Sequence, residues 1–125
     1  MQYILRDELR RLGFSCQRAP QWCRYFELLT EVQQEAAIGQ LRGCAMRGRG
    51  AGDLLGRSLY LVAHRCVERK GHGWLVTDGS LRFMVRLDYN CCQCKPFAWS
   101  SADRLYPECV HIWAVRISAA YGDCR

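Results

Sequence analysis

Leu5, Leu9 and Leu12 recur at helical spacing near the amino terminus, and the pattern predicts a first helix over residues 1–12 that Gly13 ends. Arg6, Arg10 and Arg11 occupy its other face, and a helix this short needs to dock on the rest of the chain or on a partner. After a connector at 14–19, Pro20 suits the first turn of a second helix. Trp22, Phe26, Leu29, Val32 or Gln33, and Ala36 carry the spacing to about Leu41. The aromatic group of Trp22, Tyr25 and Phe26 reads as core, with a stacking surface as the alternative.

Gly43, Gly48, Gly50 and Gly52 then alternate with Arg42, Arg47 and Arg49. Glycine makes a helix costly and arginine keeps backbone solvated, so a flexible linker is expected, with a phosphate-wrapping Arg-Gly segment as the functional alternative. Asp53 suits the N-cap of a third helix, with Leu55, Leu59, Val62 and Cys66 on one side, ending near His64 and passing into a short strand through Val67. Residues 70–73 read as a turn, 74–77 as a strand and Asp78-Gly79 as a hairpin signal. Leu81, Phe83, Val85 and Leu87 then alternate with Arg82, Met84 and Arg86, which predicts a half-buried strand with a wet, positive outer face. Ile112, Trp113, Val115, Ile117, Ala119 and Ala120 give a mostly apolar last helix ending at Gly122.

Composition narrows the class. The 125 residues, half of them hydrophobic, suffice for one sizeable core. The order of elements gives an α+β fold: N-terminal helices packed on a small antiparallel meander, then a knuckle and a C-terminal helix. We divide it into a helical extension with the Gly/Arg-rich loop (1–52) and a domain that carries the late cysteine pairs (53–125). Nine cysteines would suggest a disulfide framework in a secreted chain, but the charged amino terminus lacks a signal-peptide pattern and no uncharged apolar run is long enough for a membrane span. The expectation is an intracellular, reducing setting, cytoplasm, nucleoid or nucleus, with metal-bound and free thiols.

The net charge is +6, and among 18 basic residues only Lys70 and Lys95 are lysines. Arginine suits bidentate contacts to phosphate and guanine. Arg42, Arg47, Arg49, Arg69, Lys70, Arg82, Arg86 and Lys95 are the candidate nucleic-acid contacts.

The candidate chemistry lies late in the chain. Cys92-Gln93-Cys94 is followed, after fourteen residues, by Cys109-Val110-His111, a complete ligand set for one tetrahedral zinc. Residues two apart on an extended strand share a face, so Cys92 and Cys94 can reach one ion. On a helix they diverge, so Cys109 must precede the helix and His111 must lie in its first turn, with Pro107 and Glu108 leading in. Cys91 is an alternative to Cys92, in a C-x-x-C pair with Cys94. His64 and Cys66 form an H-x-C pair with no second pair to match, and Cys16, Cys23 and Cys44 lack ligand spacing.

This pattern, C-x-C and then C-x-H, resembles the SWIM zinc finger. The likeness extends to Phe83-Met84-Val85-Arg86-Leu87 before the knuckle, Lys95-Pro96-Phe97 after it and Ile112-Trp113-Ala114-Val115 after the histidine, covering residues 57–119. It implies a ββα module with one structural zinc on Cys92, Cys94, Cys109 and His111, binding DNA or other proteins. Such modules occur in transposases, helicases, ubiquitin ligases and small recombination factors.

Enzymatic activity is not expected. Four protein ligands close the tetrahedron, whereas a catalytic zinc keeps a position for water. The H-x-E of the zinc deaminases has no counterpart beside His64, His72 or His111. Two functions follow: nucleic-acid binding through basic surfaces, or an adaptor in a recombination or repair complex that docks a protein partner through its N-terminal helices. Neither a membrane nor a small-molecule substrate is expected as a partner.

Overall fold

The computed structural model describes residues 4–11, 19–43, 49–87, 91–93 and 109–122. They form an α+β fold: α1 (Leu5–Arg11), α2 (Ala19–Glu27), α3 (Glu31–Arg42), α4 (Arg49–Ala63), β1 (Val67–Lys70), β2 (Gly73–Asp78), β3 (Leu81–Arg86), β4 (Cys91–Cys92) and α5 (Val110–Gly122). The strands make one antiparallel sheet in the order β1-β2-β3-β4.

The organising element is α5. Ile112, Trp113, Ala114, Val115 and Ile117 are all fully buried, so its apolar residues are spread around the axis rather than along one stripe. A helix of this kind must be covered on several sides. Helices α3 and α4 cover it on one side and the strands on another. Each large apolar side chain buried here contributes about 1.5–3 kcal/mol.

Helix α1 packs on α2, α2 on α4, and α3 on α4 and α5, so the N-terminal helices do not pack chiefly on the meander as the sequence suggested. The aromatic stripe of α2 does become core: Trp22 and Phe26 are buried, and Tyr25 lies half-buried with its ring edge-on to Tyr60 and His64.

Three local predictions are corrected. The single helix over 20–41 is two helices, because Thr30 caps α3: its hydroxyl accepts from the Gln33 backbone, and the Gln33 side chain accepts from the Thr30 backbone. After this break the buried stripe shifts to Ala37, Ile38 and Leu41, and Val32 is left exposed. Second, α4 begins at Arg49, so 49–52 is helical, not linker, and Asp53 lies inside the helix instead of capping it. Each interior glycine costs about 1 kcal/mol against alanine, and packing of Leu55, Leu59 and Val62 outweighs that penalty. Third, the hairpin forms where Asp78-Gly79 signals it but turns one residue later: Asp78 is the last residue of β2 and pairs with Leu81 in β3, and the turn is Gly79-Ser80, with Gly79 at φ +68°. Residues 44–48 of the expected loop lie outside the described residues, as do Leu12, Gly13, Cys16, Cys44, Pro107 and Glu108.

Helix α4 ends in a Schellman motif: Cys66 N–H donates to Leu61 C=O and Arg65 N–H to Val62 C=O. Arg65 takes the left-handed position at φ +58°. Thr77 N–H then donates to Cys66 C=O, tying the end of α4 to β2.

Candidate metal centre

Two junctions meet where β4 completes the sheet and α5 begins. On the sheet side, Cys92 pairs with Val85 in register. The Gln93 backbone donates to Met84 C=O, and the Gln93 side chain accepts from Met84 N–H, so the chain beyond β4 is held on β3. On the helix side, Cys109 directly precedes α5. Its carbonyl accepts from Trp113 N–H and its Sγ from Ile112 N–H at 3.4 Å. Cys109 thus fills the N-cap role, with sulfur in place of the usual side-chain oxygen. An N–H aimed at sulfur suits a thiolate ligand. His111 follows in the first turn, the arrangement the spacing required.

Cys92, Cys109 and His111 are all buried, and one ligand atom from each lies within 4.8 Å of the others. Cys92 Sγ is 3.6 Å from His111 Nδ1. Bonds of about 2.3 Å to sulfur and 2.0–2.1 Å to nitrogen at a tetrahedral angle separate the two atoms by roughly 3.5 Å. The cluster therefore has the donor types and spacing of a metal site. Burial lowers the His111 pKa, but hydrogen bonds that the ring donates to Cys92 and Asp78 outweigh it and hold the ring above its ordinary value of 6.5.

The sequence pattern missed one residue here. Asp78 Oδ2 lies 2.9 Å from His111 Nε2, on the side of the ring away from Cys92. Arg57 Nη2 stands 3.8 Å from the same oxygen. Phe83 stacks on the imidazole, with ring centres 4.4 Å apart and planes at 25°. Asp78 shares the strand parity of Trp74 and of the fully buried Val76, so its side chain lies on the inward face of the sheet, where the hairpin register brings it to His111.

Of the other candidate ligands, Cys94 and the side chain of Cys91 lie outside the described residues. Cys66 and Cys23 stand apart as half-buried thiols, each with its pKa raised by burial. The His64 ring bonds to Tyr60 C=O and lies against the Tyr60 ring at a 30° tilt.

The register sorts the candidate nucleic-acid contacts. Lys70, Arg82 and Arg86 share the outer face of the sheet with Glu68, Leu75, Thr77 and Met84. Arg69 belongs to the opposite face, paired with Trp74, and its guanidinium lies 5.4 Å from the indole centre. The four therefore do not form one patch. Arg42 bonds to Glu8. Arg49 opens α4, but its side chain, Arg47 and Lys95 lie outside the described residues. Among the described residues, no helix is long and apolar enough to cross a membrane.

No family model, curated protein or solved structure matches this chain. The residues themselves identify what the geometry supports: a buried Cys2His cluster able to hold a metal ion.

Proposed function

We propose that this protein is a structural zinc protein of the SWIM type, with Cys94 as fourth ligand beside Cys92, Cys109 and His111. The observation that carries this is the convergence of the three described donors at one buried point, from a strand end and a helix start. Zinc held there supplies a cross-link between β4 and α5 and contributes directly to folding. Three thiolates and one neutral imidazole give the site a formal charge of −1, with no position left for water, which suits a clamp and not a catalyst.

The clamp would fix the sheet whose outer face carries Lys70, Arg82 and Arg86, and we take that face to contact nucleic acid. The net charge of +6 favours the same partner. Fluorescence anisotropy with a labelled DNA duplex over a salt series tests it. Affinity should fall with a log-log slope near −0.9 per phosphate neutralised. Arg82→Ala with Arg86→Ala should flatten that slope; salt-independent binding, or none at low salt, counts against it.

A protein-adaptor role is the second reading, favoured by one observation: Ile4 just before α1, Leu28 just after α2 and Val32 in α3 are exposed, Leu28 by 70%. Recovery from native cells with a stoichiometric partner would support it, and a monodisperse monomer with no companion would oppose it.

A further inference from the structure

We propose that His111 ligates metal through Nδ1 and that Asp78 is the positioning residue that dictates this choice, an inference that rests on the metal reading of the Cys92, Cys109 and His111 cluster. The two imidazole nitrogens face different groups. Nδ1 points to Cys92 Sγ at 3.6 Å, a sulfur of the Cys2His cluster. Nε2 points to Asp78 Oδ2 at 2.9 Å. A carboxylate accepts only, so Nε2 carries the proton, and in the neutral ring that a metal binds Nδ1 keeps the lone pair.

The ring is held in this pose from three directions. Phe83 stacks on its face, Asp78 holds its outer nitrogen, and the helix start at Val110 fixes its backbone. Turning the ring over about Cβ–Cγ would set carbons against both Cys92 and Asp78 and lose both polar contacts. Asp78 is placed by β2 pairing through to Leu81 before the Gly79-Ser80 turn, so the hairpin register is what aims the carboxylate. Arg57 of α4, 3.8 Å from Asp78 Oδ2, stands on the same carboxylate. The metal centre is thus coupled through Asp78 to β2 and α4 as well as to β4 and α5.

The test uses the full chain with isotope-labelled histidine, reduced and loaded with one equivalent of an NMR-active cadmium isotope. Nitrogen spectra of His111 should show cadmium coupling at Nδ1 and a protonated Nε2. Asp78→Ala should weaken cadmium affinity about 10- to 100-fold and disturb the Nδ1 pattern, while Asp78→Asn, which keeps an accepting oxygen, should restore most of both. Coupling at Nε2 in the wild-type protein overturns the inference and leaves the metal reading standing. So does unchanged affinity and coupling in Asp78→Ala. Failure of the wild-type protein to take up cadmium overturns the metal reading itself, and this inference with it. The wild-type spectrum decides the ligating atom even if Asp78→Ala fails to fold.

Discussion

The indole of Trp22 occupies the space where residue 56 would carry a side chain: a Cβ built on Gly56 would lie 2.0 Å from Trp22 Cε2. Helix α2 meets α4 at this point, and glycine there lets a large ring lie against the helix backbone. Gly56→Ala should therefore destabilise the protein by about 1–3 kcal/mol through overpacking, although alanine is the better helix former. Chemical denaturation should show a lower midpoint, and Trp22→Phe in the Gly56→Ala background should recover part of the loss. An unchanged midpoint for Gly56→Ala would mean that the two helices are not packed this closely.

Glu8 is a buried carboxylate of α1 that accepts hydrogen bonds from Arg42 of α3 and Arg11 of its own helix. Arg42 first and Arg11 second hold its pKa below the ordinary value of 4.5. A depressed carboxylate pKa means that the unfolded chain binds the proton more tightly, so the stabilisation is complete above about pH 5 and fades as the pH falls through the native pKa. Glu8→Gln should cost about 1–3 kcal/mol at neutral pH. The gap between the two proteins should shrink in acid. Thermal melts from neutral pH to below the glutamate range measure it.

Arg65 holds a left-handed backbone at φ +58° at the end of α4, where glycine has no Cβ penalty. Arg65→Gly should stabilise the fold by about 0.5–1 kcal/mol, a gain visible as a higher denaturation midpoint. A loss would indicate that the Arg65 side chain makes a contact worth more than the backbone strain.

Much of this architecture is legible in the sequence because its signals are local. Alternation in 81–86 gives β3, and C-x-H spacing places Cys109 before α5 and His111 in its first turn. The break at Thr30 was equally local, an S/T-x-x-Q capping box hidden inside a hydrophobic period that runs through it. The start of α4 was not legible, since Gly50 and Gly52 argue against a helix and only the burial of Leu55 and Leu59 further along supports one. Asp78 was missed because Asp-Gly is also a turn signal. Its meeting with His111, 33 residues away, depends on a hairpin register and a helix docking that no local pattern states.

We propose that the donors gathered by Cys92, Cys109 and His111 hold one structural zinc. Elemental analysis of freshly purified, reduced protein tests it most directly. About one equivalent of zinc is predicted for the wild-type chain, with zinc lost and α5 unfastened from the sheet in His111→Ala. Less than about half an equivalent in the wild-type protein, or full zinc retained by His111→Ala, would contradict the account.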